Sequence, residues 1–341
     1  MATMKQIAQL AGVSRGTVDR VLNNRGIVSE ATAQKVREIA QSLQYVPSRA
    51  AKSLAALKHN THLGYILPSI QTNPFFGQVA DGIRKKAAEL AEYGVIVDVL
   101  YHDFSVPEQQ EQLLNEMVEK GVDGIAICGF NTENITKKIR ELQELHIPII
   151  TVNSDIPNSG RMAYVGNDHI RAGRTAANLM SMITGGNAQV GILLGSHNMH
   201  CHSERVKGFL SYIKDFAPGI HVVDILENND DDFKSFSAVQ EFLCRTPPID
   251  ALFLASAGVY GACRAVELTE TAHKPKIISY DCVPSTATML QKGVISATIC
   301  QMPEYQGSKP LDILFNYICM GMPPSREYYY TSPEIRIKEN L

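Results

Sequence analysis

The sequence predicts an α/β chain: a three-helix helix-turn-helix head, then two lobes, each a doubly wound parallel sheet. Three observations carry that expectation. The first sixty residues hold three short amphipathic helical patterns around a turn at Gly12. From residue 61 onward, short β-rich runs alternate with helical patterns, the rhythm of a parallel sheet covered by helices. The strand candidates are too many for one comfortable open sheet, so two lobes of about five or six strands fit better.

Composition sets the frame. The chain has 341 residues, 45% hydrophobic, and a net charge of −3. That suits a soluble protein of two or three domains with a sizeable core. The net charge hides an asymmetry. Residues 1–60 carry nine Lys or Arg against three acids, or +6, and the rest carries 23 against 32, or −9. A basic head on an acidic body implies that only the head meets a polyanion. Residues 1–10 contain Lys5 and two Gln but no apolar run, and no stretch approaches the ~18 apolar residues of a membrane span. Seven cysteines are scattered without a C-x-x-C pair, which reads as buried free thiols in a reducing cytoplasm. A cytoplasmic protein with no membrane partner is expected.

In the head, Thr3 can cap a first helix holding Ile7, Ala8, Leu10 and Ala11. Gly12 supplies the backbone freedom of the turn. Ser14 is placed to cap the second helix, where Val18, Val21 and Leu22 form one apolar stripe. Arg15, Gly16, Asp19 and Arg20 fall on another face. Ser29 caps a third helix with Val36, Ile39, Ala40 and Leu43 at helical spacing.

Residues 3–8 (TMKQIA), 12–14 (GVS), Thr17-Val18, residues 20–23 (RVLN), Val28-Ser29, Val36 and residues 45–47 (YVP) resemble the headpiece of the lactose-repressor (LacI/GalR) family of bacterial regulators. The match runs over about sixty residues, far more than a single short motif. The resemblance implies that the second helix lies in a DNA major groove, with residues 15, 16 and 20 at base-reading positions. The chemistry agrees. Arg20, and Arg15 beside it, can donate two parallel bonds to guanine O6 and N7. Thr3, Ser14, Thr17 and Asn23 carry hydroxyl or amide groups suited to phosphate oxygens. Two residues depart from the family pattern. Gly16 offers no side chain to a base, and Asp19 replaces a small hydroxyl residue. Asp19 can pair with Arg15 or accept from cytosine N4.

Residues 47–55 (PSRAAKSLA) resemble the family's hinge helix, with Arg49 and Leu54 at DNA-contacting positions. A helix of about eight residues is too short to be stable alone in water. The resemblance implies that two copies fold together on DNA and that Leu54 wedges into the minor groove. The expected division is a headpiece at 1–46, hinge and linker at 47–60, and an effector domain at 61–341. Lobe 1 is expected at about 61–156 plus 284–319, and lobe 2 at about 157–283 plus 320–341.

In the body, strands are expected at 63–67, 95–100, 124–128, 148–152, 190–194, 222–225, 251–254, 276–280, 297–300 and 334–338. Helices are expected at 76–93, 107–120, 171–183, 204–216 and 233–245. In such sheets ligands bind beyond the C-terminal ends of strands. That rule selects residues 68–76, 101–103, 153–155, 197–205, 255–257, Asp281-Cys282 and Gln301. An Asn beside two Phe, with carboxylates and an Arg on other strand ends, suits a polyhydroxylated ring. Packing at a helix start is the plainer role for one of the two Phe.

The same stretches resemble the ribose-type periplasmic sugar-binding fold (periplasmic binding protein type I-like), which is also the effector domain of the lactose-repressor family. By that resemblance Asn73, Phe75 or Phe76, Asp155, Arg205, Asp281 and Gln301 line the cleft. Ser256 stands where the family often has Asn, and Ile156 where sugar binders often have Arg. The resemblance implies a homodimer on a near-palindromic double-stranded operator, with a small effector, a sugar first, controlling DNA affinity. Alternatives are a nucleoside, purine or phosphorylated-sugar effector, or an enzyme acting on sugar.

No cofactor or catalytic residue is expected, and no metal. His197, His200, Cys201 and His202 match no standard helical ligand pair. The acidic run 227–232 (ENNDDD) lacks the Gly and final Glu of a calcium loop and reads as a solvated turn.

Overall fold

The computed structural model describes residues 3–22, 28–43, 45, 61–103, 106, 108–245, 248–270 and 273–341. Asn23 and the expected hinge helix at 47–55, with Arg49 and Leu54, lie outside the described residues.

The headpiece helices are α1 (Met4–Ala11), α2 (Arg15–Leu22) and α3 (Glu30–Ser42). Their ends are held as the sequence implies. Thr3 and Gln6 form a reciprocal capping box, and Gly12 takes the left-handed conformation, φ 71°, at the turn. Ser14 Oγ accepts from the Thr17 amide at 3.0 Å, and Ser29 Oγ accepts from Thr32. Val18, Val21 and Leu22 pack with Ile7, Ala8, Val36 and Ala40 into one small core. The opposite face of α2 keeps Arg15, Gly16 and Arg20 exposed.

The body contains two six-stranded sheets. The first lobe runs β1 (His62–Pro68), α4 (Phe75–Ala91), β2 (Ile96–His102), α5 (Gln109–Glu119), β3 (Gly124–Ile127), α6 (Glu133–Glu144), β4 (Ile149–Val152) and β5 (Ala163–Gly166). The second runs α7 (His169–Thr184), β6 (Asn187–Leu194), α8 (His200–Phe216), β7 (Gly219–Glu227), α9 (Asp232–Leu243), β8 (Ala251–Leu254), α10 (Val259–Leu268), β9 (Lys276–Tyr280), α11 (Pro284–Gln291) and β10 (Ala297–Cys300). The chain then returns through α12 (Pro303–Met320) and β11 (Tyr328–Tyr330) to the first lobe, and ends on β12 (Glu334–Arg336) in the second. Strand orders are β11-β5-β4-β3-β1-β2 and β12-β10-β9-β8-β6-β7. The pairings are parallel except β10 with β12.

Both faces of each sheet are covered, which is why the strands read as continuous apolar runs. In the first lobe, Val79, Ile83, Leu311 and Leu314 of α4 and α12 cover one face, and Leu114 and Ile139 of α5 and α6 the other. In the second, Ala176 and Phe209 of α7 and α8 cover one face, and Phe242, Val259 and Leu290 the other.

The strand pairings move the expected lobe boundaries. Residue 157 does not begin lobe 2, because β5 pairs with β4, Val152 opposite Val165. Residues 284–291 belong to lobe 2, where Met289 and Leu290 of α11 pack with Val259 and Ile277. Residues 320–341 are divided, since β11 rejoins the first sheet and β12 the second. The chain therefore crosses between lobes at 167–168, 301–302 and 331–333.

Close helix contact fixes the geometry near the second crossing. A Cβ on Gly173 would collide with the Arg205 carbonyl, and one on Gly208 with the Ile170 carbonyl. Helices α7 and α8 therefore meet backbone to backbone at the turn that carries Arg205. Gly173→Ala is expected to lower stability by about 1–3 kcal/mol by overpacking, measured by urea unfolding. An unchanged midpoint would contradict this packing.

Candidate functional site between the lobes

The strand ends of both sheets meet at the crossings, and there the buried polar side chains concentrate. Arg205, on the first turns of α8, is 2% exposed. Its Nε donates to His169 Nδ1 (3.3 Å), one terminal nitrogen to the Ala255 carbonyl (2.8 Å) and the other to Gln301 Oε1 (2.9 Å). The guanidinium lies 3.9 Å over the Tyr280 ring, a cation–π contact. These bonds use three of its five N–H groups.

Gln301 sits on the second crossing and organises its neighbours. Its Nε2 donates to both oxygens of Asp281 (2.9 and 3.0 Å), and its carbonyl accepts from Gln306 Nε2 (2.7 Å). Asn153 Nδ2 donates to Gln306 Oε1 at 3.1 Å. His169 closes the circuit. Its Nδ1 accepts from Arg205, so the proton is on Nε2, which donates to the Asn153 carbonyl at 2.6 Å. Burial and the Arg205 charge hold His169 well below the usual histidine range, so it stays neutral. Asn153, Asp281 and Met302, at three strand ends, all have positive φ (59°, 61° and 53°). Such backbone costs energy in a non-glycine residue and concentrates at functional sites.

Two carboxylates face this basic centre. Asn73, in the loop before α4, donates to Asp230 Oδ2 across the cleft at 3.1 Å. Asp230 also accepts from the Ala257 amide at 3.3 Å, and is 4% exposed. A cavity of about 60 Å³ is bounded by Asn73, Phe75, Asp230, Tyr280, Asp281 and Thr286, among others. Among the described residues, the hydroxyls of Tyr280 and Thr286 are buried without a hydrogen-bond partner. Buried orphan hydroxyls are costly. A bound ligand with hydroxyl groups would satisfy them.

Burial pushes both Asp230 and Asp281 up from 3.8 to about 6, with the Arg205 charge opposing the shift. Between about pH 4 and pH 6 the folded chain therefore holds protons that the unfolded chain has released. Stability of the ligand-free protein should fall as pH rises through that window, then level off once both states are ionised. Each carboxyl contributes at most roughly 3 kcal/mol to this slope. Asp281→Asn should flatten it in urea titrations at pH 4, 5, 6 and 7; an identical slope would contradict a raised Asp281 carboxyl.

Of the expected site residues, Asn73, Phe75 and Asp281 bound the cavity, and Arg205 and Gln301 join it through hydrogen bonds. Phe76 packs in the first-lobe core, the plainer role expected for one of the pair; its ring lies edge-on to Phe75 at 5.2 Å. Ser256 joins the site directly: its hydroxyl hydrogen-bonds Asp230 and opposes the rise of that carboxyl, and it also reaches Asn228 Oδ1 at 3.3 Å. Asn228 in turn accepts from the Asp230 amide.

Asp155 corrects the expectation. Its carboxylate accepts from Arg161 (2.6 Å), Thr151 Oγ1 (2.6 Å) and the Ile156 amide (2.8 Å), all within lobe 1. An arginine six residues later takes the charge, and Asn153, two residues earlier, holds the cleft position. The acidic run at 227–232 is also corrected. Asn228 and Asp230 are buried, 1% and 4% exposed, because the run follows β7 straight into the cleft. The strand-end rule, applied after β7 as after the others, points to Asp230.

The histidine cluster does not gather. His202 Nδ1 accepts from the Ser196 amide, and burial pushes this histidine down to about 3. The Cys201 amide donates to Ser154 Oγ. Among the described residues no group of three His, Cys, Asp or Glu side chains is placed to hold a metal. Of the seven cysteines, Cys244 is exposed and Cys282 half-buried, contrary to a fully buried set.

On α2, Arg20 folds back along its own helix, Nε to the Gly16 carbonyl at 3.2 Å and a terminal nitrogen to Thr17 Oγ1 at 3.4 Å. Asp19 is half-buried, and it and Arg15 both act electrostatically on the Tyr45 hydroxyl. Thr3, Ser14 and Thr17 have their hydroxyls at helix starts, where amides also point outward.

A helix-turn-helix head joined to a two-lobe cleft lined by Arg, Asp, Asn and Gln defines a class: regulatory proteins with a ligand-binding body. The comparisons agree. Residues 3–48 match the model of bacterial regulatory proteins of the lacI family, and residues 63–321 that of the periplasmic binding protein domain. The chain belongs to the lacI family, with a periplasmic-binding-protein-like effector domain.

Relatives include the ribose operon repressor of Escherichia coli K12, 27% identical over 93% of both chains. The transcriptional regulator DegA of Bacillus subtilis is 31% identical over 61% of this chain and 59% of its own length. The transcriptional repressor PurR of Vibrio vulnificus is 31% identical over 67% and 66%. The chain thus spans less than two thirds of the length of DegA and PurR. These relatives are regulators, in line with the expectation of a protein that is not an enzyme. Among solved structures, a solute-binding protein of Burkholderia graminis in complex with D-arabinose superimposes with a TM-score of 0.76 at 25% identity, covering 82% of this chain and 96% of that one. GanP, a glucose-galactose binding protein of Geobacillus stearothermophilus, gives 0.75 at 27%, covering 82% and 99%.

Proposed function

We propose that this chain is a cytoplasmic transcriptional repressor whose operator affinity is set by a small carbohydrate bound between the lobes. The observation that carries the sugar is the cavity beside Arg205. Asn73, Phe75, Asp230 and Asp281 bound it, together with Tyr280 and Thr286, whose hydroxyls are buried without a partner among the described residues. Vicinal hydroxyls both donate and accept, so they suit Asp and Arg side by side, and aromatic edges suit ring carbons. The pair Asp230 and Asp281 disfavours a phosphorylated ligand. The chain's relatives, a ribose operon repressor and sugar-binding proteins among them, point the same way.

At the DNA end, the exposed face of α2 with Arg15 and Arg20 suits a major groove, and the expected hinge segment supplies Arg49 and Leu54. Two copies on a near-palindrome would place two such helices in successive major grooves. No helix among the described residues is long and apolar enough to cross a membrane. Sugar binding that changes the lobe angle would move the segments leading to the heads, and its differential affinity for the two arrangements would set operator affinity. A thermal-shift screen of pentoses, hexoses, polyols and nucleosides tests the ligand class. A sugar should raise the melting point; stabilisation by nucleosides alone would replace the carbohydrate reading.

A further inference from the structure

A second pocket, of about 220 Å³, opens beside the crossings and is separate from the cavity between the lobes. Both lobes build it. Tyr164, Tyr328 and Tyr330 come from the first, and Asp168, His169 and Glu204 from the second. Asn167, on the first crossing, also lines it. That side chain is 2% exposed, and among the described residues its Nδ2 has no hydrogen-bond partner. Its Oδ1 is occupied by the Thr331 hydroxyl of the third crossing at 3.4 Å. A buried amide donor left open at a pocket wall calls for an acceptor from outside.

The rest of the wall has a consistent character. Tyr328 and Tyr330 are stacked, with centroids 5.5 Å apart, and both meet Tyr164 edge-on. The Arg161 guanidinium lies 4.9 Å over Tyr328, so this platform already accepts one cation. Tyr330 is 51% exposed. Among the described residues, the lining carries three acids, Asp155, Asp168 and Glu204, and no Lys or Arg. Asp155 and Glu327 share Arg161, Glu204 meets Lys207, and Asp168 caps α7 through a backbone amide. Aromatic faces with excess negative charge attract an organic cation. A neutral polyol would leave that charge uncompensated.

We propose that this pocket binds a second small ligand, an organic ammonium bearing a hydroxyl or carbonyl acceptor for Asn167. The site is linked to the cleft, because His169 lines the pocket and also holds Arg205. Occupancy of one site therefore changes affinity at the other by an equal factor in both directions.

Choline, which combines a quaternary ammonium with one hydroxyl, is the probe; tetramethylammonium lacks the acceptor and glycerol lacks the charge. Titration calorimetry on the full chain should show saturable choline binding, weaker binding of tetramethylammonium and none of glycerol. Tyr330→Ala and Glu204→Gln, the latter a mild change on a helix surface, should each weaken choline about tenfold. Glu119→Gln, at the exposed end of α5 and away from both sites, should leave choline binding in place. Absence of choline binding overturns the proposal, as does choline binding that survives both Tyr330→Ala and Glu204→Gln. Equal binding of glycerol overturns the cationic class, and equal binding of tetramethylammonium overturns the role of Asn167.

Discussion

Arg205→Ala should weaken the effector by at least about 30-fold, since truncating one partner of a buried, hydrogen-bonded charge set costs roughly 2–5 kcal/mol. The loss has three sources. The cavity loses the positive charge stacked against its Tyr280 wall. Gln301 Oε1 and the Ala255 carbonyl lose their donors. Asp230 and Asp281 lose the positive charge that opposes their protonation. DNA binding by the ligand-free protein should persist, because the headpiece core is built from its own helices. Calorimetry with the sugar found by thermal shift reads the effect, and circular dichroism confirms folding. Arg205→Lys keeps the charge but loses the forked geometry and should fall between. Unchanged sugar affinity in the alanine variant would take Arg205 out of the site.

Arg20→Ala should remove operator selectivity at the other end of the chain. A bidentate Arg contact to guanine discriminates by about 1–3 kcal/mol per half-site. In this structure the Arg20 guanidinium rests on the Gly16 carbonyl and Thr17. The glycine that offers no side chain to a base instead gives Arg20 an open helix surface to lie along. Anisotropy titrations at fixed salt, on a selected operator and a scrambled duplex, should give nearly equal affinities for the variant. Effector affinity of the free protein should be untouched. Retained selectivity would contradict the base-reading role.

Much of this was legible in the sequence because its signals were local. Caps at Thr3, Ser14 and Ser29, the turn at Gly12 and the apolar stripe of α2 each need only a few neighbouring residues. The central strands read as unbroken apolar runs, and β8, β9 and β10 fall at the expected residues. The short strands β5 and β11 were not legible, since three or four residues such as Tyr328–Tyr330 acquire a strand identity only from a partner distant in sequence.

The site divides in the same way. Asn73, Arg205, Asp281 and Gln301 follow from the strand-end rule and the family pattern. Asp155 fails because its partner Arg161 lies across a turn that periodicity does not describe. Asp230 was hidden inside a run whose acidity suggested solvent, although the residue closes on Asn73 from the other lobe. His169 and Gln306 carry no sequence signal; their role exists only where the crossings come together.

The central claim is that sugar in the cleft sets DNA affinity at the headpiece. The most direct measurement is the affinity of the full chain for an operator selected from random duplexes, with and without a saturating concentration of the stabilising sugar at one salt concentration. A shift of about fivefold or more is expected, as for typical coupling energies, and it should vanish in Asp281→Ala while DNA binding remains. Equal operator affinity with and without a sugar that demonstrably binds would contradict the account.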